Sequence, residues 1–107
     1  MMASPSPPGS SRETAERIHA IVTGRVQGVG YRFFAQERAV ARGIAGAVRN
    51  LPGGSVEVEA EGPRTVLEAY LGDLREGPPA ARVSDVEVRW LPAQGVRDFV
   101  IRTSREL

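Results

Sequence analysis

Apolar and polar side chains alternate early in the chain. Over residues 17–23, the side chains of Ile18, Ala20 and Val22 share one face, and His19 falls on the other. A repeat of two is typical of a β-strand that buries a single face. The pattern predicts a strand here, with its apolar face in the core and His19 solvated.

Two later segments repeat their apolar residues every three or four positions, as amphipathic helices do. The first is predicted over residues 31–42, with Gly43 as its stop. The second begins after Gly62-Pro63 and ends near Gly77-Pro78-Pro79. The positions predicted to face the core are Tyr31, Phe34, Ala35 and Ala41 in the first helix and Leu67, Tyr70, Leu71 and Leu74 in the second.

A hairpin is predicted between the two helices. Residues 46–50 form its first strand, and the turn is Leu51-Pro52-Gly53-Gly54. The second strand starts at Val56 and alternates apolar residues with glutamates. Its solvent face is expected to carry Glu57, Glu59 and Glu61.

The remaining alternation predicts a strand over residues 82–91 and a short last strand over residues 99–102. The order strand, helix, strand, strand, helix, strand is that of the α+β ferredoxin-like fold, a split βαβ sandwich (βαββαβ). We expect an antiparallel sheet with both helices on one face. Because this topology hosts many unrelated activities, function has to be argued from particular residues.

The beginning of the chain differs in composition from the rest. Residues 1–15 are rich in Pro and Ser and are predicted to be a disordered tail, followed by one domain over residues 16–107. The tail lacks the apolar run of a secretory signal, and no apolar stretch approaches the roughly 18 residues of a membrane span. We therefore expect a cytoplasmic protein.

Composition narrows the classes of partner and cofactor. Fourteen Lys+Arg residues, all of them arginine, nearly balance thirteen Asp+Glu residues, which argues against binding to nucleic acid or to a membrane surface. The chain has no cysteine, so a thiol nucleophile and a thiolate metal site are excluded. With His19 as the one histidine, no metal site is expected.

A glycine-rich loop leads from the first predicted strand into the first helix, and it reads Gly24-Arg25-Val26-Gln27-Gly28-Val29-Gly30-Tyr31-Arg32. Its three glycines let successive N–H groups point inward, and the helix start adds unpaired amides and a partial positive charge. No Ser, Thr, Asp or Asn caps this helix, and Arg32 offers a planar fork for two phosphoryl oxygens. The pattern predicts a phosphate cradle, although simple turns and a solvated arginine explain the spacing equally well.

Neither common nucleotide motif fits this loop. A P-loop ends in Gly-Lys followed by Ser or Thr, and the chain contains no lysine. A dinucleotide fingerprint needs a third glycine where Phe33 stands. Asn50, taken alone, is most simply a turn-favouring residue, because it directly precedes the predicted turn.

These residues resemble the acylphosphatase family. The loop from Gly24 to Arg32 matches the first signature of that family, and the segment Gly46-Ala47-Val48-Arg49-Asn50-Leu51-Pro52-Gly53-Gly54-Ser55-Val56, closing at Gly62, resembles the second. The resemblance covers about residues 17 to 102, and the predicted element order agrees with the family's fold. One departure is Ala47, where the family usually carries an aromatic residue, which concerns local packing more than chemistry.

The resemblance implies hydrolysis of the carboxyl-phosphate bond of an acyl phosphate, without metal or organic cofactor. It implies that Arg32 binds the phosphoryl group and that Asn50 positions the attacking water. The loop backbone would hold the phosphate at Gln27, Gly28, Val29, Gly30 and Tyr31. The expected partners are a small acyl phosphate and inorganic phosphate, as product or inhibitor, for a monomeric enzyme.

Three other classes of function stay open. One is an idle module that binds phosphate or carbamoyl phosphate, since similar domains begin larger hydrogenase-maturation carbamoyltransferases. The others are an RNA-binding sheet and a structural interaction domain. The strands offer Trp90 and Phe99 for base stacking, but they lack the Arg/Lys-Gly-aromatic motif of RNA-binding sheets. Turnover of a simple acyl phosphate separates the enzyme from all three.

Overall fold

The computed structural model describes residues 14–103, and the predicted order of elements is confirmed, including the short last strand after β4. The elements are β1 (Ala15–Arg25), α1 (Tyr31–Ala41), β2 (Ala45–Asn50), β3 (Val56–Pro63), α2 (Arg64–Glu76), β4 (Arg82–Pro92) and β5 (Phe99–Ile101). Apart from Thr14 and Ala15, the predicted tail over residues 1–15 lies outside the described residues. In the described part of the chain, neither helix is long and apolar enough to cross a membrane.

The five strands form one mixed sheet in the order β4-β1-β3-β2-β5. Four of them pair antiparallel as predicted, but β5 pairs parallel with β2. The reason is that β4 and β5 lie at opposite edges, and the connection over residues 93–98 runs across one end of the sheet. Because β2 runs opposite to β4, a chain that crosses this end and turns back enters β5 in the direction of β2.

Both helices pack on one face of the sheet and enclose the core. Leu67, Tyr70, Leu71 and Leu74 of α2 are buried as predicted. In α1 the buried residues are Tyr31, Ala35 and Ala39, whereas Phe34 is half-buried and Ala41 is exposed. The prediction for Ala41 was wrong because it lies about 200° around the helix from Ala39.

Gly24 serves strand pairing, which corrects its predicted role in the phosphate cradle. It lies within β1 at an irregularity in the register with β4, and its φ is 123°. A Cβ here would meet the carbonyl oxygen of Arg82 at 2.1 Å. Gly46 of β2 is similarly confined, because its Cβ would lie 1.9 Å from the carbonyl oxygen of Glu59.

The glutamates of β3 are paired with other side chains and are not fully exposed to solvent, so the prediction of a solvent face was wrong. The Glu61 side chain is 5% exposed, and its Oε2 accepts a hydrogen bond from Nη1 of Arg17 at 3.0 Å. The amides of Gln94 and Gly95 donate to the same carboxylate at 2.8 and 2.9 Å. Glu61 therefore fixes the position of the connection between β4 and β5.

The other two glutamates are also paired on this outer face of the sheet. Arg17 contacts Glu59 at 3.0 Å, and Nε of Arg49 contacts Glu57 at 2.7 Å. His19, predicted to be solvated, lies 2.8 Å from the second oxygen of Glu57. Sequence alternation locates the face of a side chain but not its cross-strand neighbours, which here include the guanidinium groups of Arg17 and Arg49.

Ala47 is almost fully buried, at 4% exposure. In the strand register it pairs with Glu59 on one side and with Val100 on the other. The departure from the family pattern therefore lies inside the sheet between two paired strands.

We predict that Glu61→Gln destabilises the protein by about 2 kcal/mol at pH 7, since hydrogen bonds to a charged acceptor are lost. Burial raises the pKa of Glu61, but bonds from Gln94, Gly95, Arg17 and Val96 outweigh burial and lower the pKa below its ordinary value. A folded-state pKa below the unfolded value stabilises the fold at neutral pH, and this contribution is lost as pH falls below about 4.3.

Urea unfolding at pH 7 and at pH 3.5 measures this effect, and the difference between wild type and Glu61→Gln is expected to shrink at the lower pH. Glu87→Gln is the matched control, because Glu87 is exposed on β4 and its loss should cost less than about 0.5 kcal/mol. A penalty that stays constant between the two pH values would contradict the role of the Glu61 charge.

Candidate active site

The loop between β1 and α1 bends through two glycines in the left-handed conformation. Gly28 has φ 75° and Gly30 has φ 80°. Nothing lies within 4 Å of a Cβ built at either residue, so backbone conformation and not crowding favours glycine here. Between the two glycines, Val29 is partly buried against the core and anchors the loop.

The first amides of α1 have no partner within the helix. The first hydrogen bond of the helix runs from the amide of Phe34 to the carbonyl of Gly30, at 3.0 Å, which leaves the amides of Tyr31, Arg32 and Phe33 ahead of it. No side chain caps the helix, and its first turn carries no acidic residue. These donors and the positive end of the helix make the loop suited to an anion.

Gln27 fastens this loop to the turn between β2 and β3. Its Nε2 donates to the carbonyl oxygens of Leu51 and Ser55, both at 2.8 Å. The same two residues close the turn through a bond from the amide of Leu51 to the carbonyl of Ser55, at 2.9 Å. The side chain of Gln27 therefore fixes the loop relative to Asn50, the last residue of β2.

Arg32 and Asn50 meet at one small cavity of about 130 Å³. Its wall consists of Val26, Gly28, Gly30, Tyr31, Arg32, Phe33 and Asn50. The structure thus brings together five of the residues predicted for the site, while Gln27 and Val29 lie in the same loop outside the wall. Sequence reasoning did not select Phe33 or Val26.

The guanidinium of Arg32 is tethered at one nitrogen. Its Nη1 donates to the carbonyl oxygen of Arg102 at 3.1 Å, directly after β5. Since a guanidinium carries five N–H donors in a rigid fork, four donors remain beyond this bond. The short last strand thereby contributes to the orientation of a residue in the first turn of α1.

Tyr31 contributes its backbone to the loop and its side chain to the core. Its hydroxyl donates to the carbonyl oxygen of Leu74 at 2.7 Å. Burial raises the pKa of the Tyr31 hydroxyl well above its ordinary value, so this group stays protonated. Tyr31 is therefore not a base, and it ties the helix start to α2.

One group among the described residues has the composition of a metal site. His19, Glu57 and Glu59 offer ligand atoms within 4.8 Å of one another on the outer face of the sheet. Both carboxylates are already ion-paired, Glu57 with Arg49 and Glu59 with Arg17. These guanidinium charges oppose a bound cation, and none of the five residues is in the wall of the cavity that contains Arg32.

A larger hollow of about 690 Å³ lies elsewhere, between the start of β1 and the end of β4. Its wall is mostly apolar and includes Trp90 and Pro92. The charged residue in this wall is an acid, Glu16, so the wall supplies no cation to bind an anion. The groups suited to bind an anion therefore lie in the smaller cavity, with Arg32 and Asn50 in its wall.

A family model described as Acylphosphatase matches residues 18–101 of this chain. The chain belongs to the acylphosphatase family. The matched residues run from Ile18, within β1, to the end of β5. They therefore include the whole candidate site.

Curated relatives agree with this membership. The acylphosphatase of Thermus thermophilus is 53% identical over 83 residues, which cover 78% of this chain and 94% of the relative. Among solved structures, acylphosphatase from Bacillus subtilis is similar with a TM-score of 0.80 and 39% identity, covering 81% of this chain and 98% of that chain.

A similar fold also occurs within a much larger protein. Full-length HypF, in its phosphate- and nucleotide-bound form, matches with a TM-score of 0.79 and 28% identity. The match covers 86% of this chain but 12% of HypF. The ferredoxin-like family fold is therefore found both in small acylphosphatases and as one part of a longer chain.

We predict that Gln27→Ala loosens the candidate site. Two hydrogen bonds are lost, which lowers the free energy of unfolding by about 2 kcal/mol. Because the loop is then less preorganised, affinity for inorganic phosphate falls about 10-fold. Urea unfolding and calorimetric titration with phosphate measure the two effects.

Gln36→Ala is the matched control for this variant. The Nε2 of Gln36 donates to the carbonyl oxygen of Phe99 at 3.1 Å, away from the cavity wall. Its removal is expected to cost about 1 kcal/mol of stability and to leave phosphate affinity unchanged. Equal affinities for wild type and Gln27→Ala would show that the bonds of Gln27 do not organise the loop.

Proposed function

We propose that this protein hydrolyses the carboxyl-phosphate bond of acyl phosphates, releasing a carboxylate and inorganic phosphate. The observation that carries the proposal is the convergence of unpartnered loop amides, Arg32 and Asn50 on one cavity, in a chain of the acylphosphatase family. In the reaction, a water oxygen forms a bond to phosphorus while the bond from phosphorus to the acyl oxygen breaks. The leaving oxygen takes the bonding electron pair as a carboxylate.

The phosphoryl group is held by charge and by backbone donors. Phosphoryl transfer spreads negative charge over the equatorial oxygens, so fixed donors aimed at those oxygens stabilise the transition state. The amides of residues 27–32 and the remaining N–H groups of Arg32 are assigned this role. The bond from Arg32 to the carbonyl of Arg102 limits the motion of the fork, which lowers the cost of orienting it.

Asn50 is assigned the role of positioning the attacking water. Its side-chain amide carries both an acceptor and two donors, so it can orient a water without removing its proton. A carboxylate is a good leaving group, so no general acid is needed. The phosphoryl oxygens of the substrate then accept the proton of the water, which fits a cavity wall without histidine or carboxylate among the described residues.

The competing class of an idle binding module draws on the similarity to HypF, at 28% identity. The acylphosphatase of Thermus thermophilus is more similar, at 53% identity, which favours the enzyme. We further propose, from charge balance and composition, a cytoplasmic monomer that acts without nucleic acid, membrane or metal. Its ligands are a small acyl phosphate and inorganic phosphate.

We predict that Arg32→Ala lowers kcat/KM for acetyl phosphate by about 10² to 10³, the usual cost of removing one preorganised donor to a developing charge. Circular dichroism and urea unfolding check that the variant folds. Arg38→Ala is the matched control, since Arg38 lies on the same helix over the ring of Phe34 and outside the cavity wall. It should stay within about 2-fold of wild type. A folded Arg32→Ala enzyme with full activity would refute the assignment.

We also predict that activity varies little between about pH 5 and 8, because no group that titrates near neutrality lies in the cavity wall. His19, the one histidine, is paired with Glu57 on the opposite face of the sheet. Activity should also survive EDTA. A pH-rate profile and an assay after dialysis against the chelator measure both, and a steep single-group profile or loss on chelation would contradict the mechanism.

A further inference from the structure

Phe33 is the most exposed large hydrophobic residue in the described part of the chain, with 73% of its surface exposed. Among residues 14–103, ring–ring contacts join Tyr31 to Phe34 and Tyr70 to Phe99. The guanidinium of Arg38 lies over the ring of Phe34, and that of Arg64 lies over the ring of Trp90. None of these contacts involves Phe33. Its ring therefore stands at the surface without an aromatic or cationic partner, directly after Arg32.

This exposed ring belongs to the wall of the cavity that contains Arg32 and Asn50. The other side chains in the wall are buried or half-buried, and Gly28 and Gly30 have none. Among the side chains of the wall, Phe33 is thus the one in the exposed class. It forms the apolar part of the rim.

The size of the cavity decides which part of a substrate reaches this rim. At roughly 30 Å³ for each water molecule in the liquid, a volume of about 130 Å³ holds about four waters. A phosphoryl group has four heavy atoms, so it fills such a space. The acyl group of an acyl phosphate must then lie outside the cavity and across its rim.

We propose that Phe33 is a specificity-determining residue whose exposed ring receives the acyl group, so that the enzyme prefers acyl phosphates with an aromatic acyl group. The inference rests on the proposed function and adds the substrate class to it. An aryl acyl group stacked on Phe33 gains both buried apolar area and the favourable geometry of an aromatic pair. An acetyl group is too small to gain either.

The test compares benzoyl phosphate with acetyl phosphate as substrates of wild type, Phe33→Ala and Phe33→Leu. Aromatic pairing of this kind corresponds to about a 3- to 10-fold effect. We expect the ratio of kcat/KM for benzoyl phosphate to that for acetyl phosphate to fall by that factor in Phe33→Ala. The change should lie in the KM for benzoyl phosphate, because the contact is made equally in the ground and transition states.

Val40→Ala is the matched control. Val40 is 65% exposed and lies two turns further along the same face of α1, outside the cavity wall, so its variant should keep the wild-type ratio. Phe33→Leu, which retains apolar area without a ring, should lose part of the preference.

The outcomes separate this inference from the function on which it rests. If wild type hydrolyses both substrates and Phe33→Ala keeps the wild-type ratio within 2-fold, the role of Phe33 is overturned and the proposed function stands. The same holds if the ratio falls through kcat alone. If wild type hydrolyses neither substrate, the proposed function fails, and the inference about Phe33 fails with it.

Discussion

The unsatisfied backbone amides at the start of α1 are the constraint around which this structure is organised. A helix leaves its first amides without internal partners, and most helices satisfy them with a capping side chain. Here Gly30 stands at the cap position without any such bond. The amides are therefore available to a ligand with several acceptor oxygens, and the helix dipole favours one with negative charge.

Keeping such a loop open requires support from outside it. Gln27 supplies this support by bonding two carbonyls of the β2–β3 turn, and Val29 packs against the core. Because β1 and β2 each pair antiparallel with β3, which lies between them, the C-terminal ends of β1 and β2 lie at the same end of the sheet. For this reason Arg32 and Asn50 line the same cavity, although they are far apart in the sequence.

Much of the fold follows from the sequence because hydrophobic periodicity reports burial directly. The strands, both helices and the hairpin were predictable from alternation and from breakers such as Gly43 and Gly53. What periodicity does not report is the identity of a partner far along the chain. The ion pairs of Glu57 and Glu61, the parallel pairing of β5 and the close approach at Gly24 all depend on such partners.

The candidate site likewise combines features that the sequence predicts with features that depend on tertiary contacts. The glycines of the loop and the uncapped helix are local features, so a phosphate cradle was predictable from residues 24–32. The meeting of Asn50 with Arg32 was expected from the family resemblance, since its own position before a turn favours a plain structural role. The bonds of Gln27 and the place of Phe33 in the cavity wall needed coordinates, because both are set by tertiary packing.

The central claim is that main-chain amides of the β1–α1 loop, together with Arg32, bind a phosphoryl group. The most direct measurement is a titration of ¹⁵N-labelled protein with inorganic phosphate, followed by the chemical shifts of individual backbone amides. Our account predicts saturable shifts that are largest for the amides of residues 27–32 and for the side-chain amide of Asn50. Shifts that do not saturate, or that centre on another part of the surface, would contradict it.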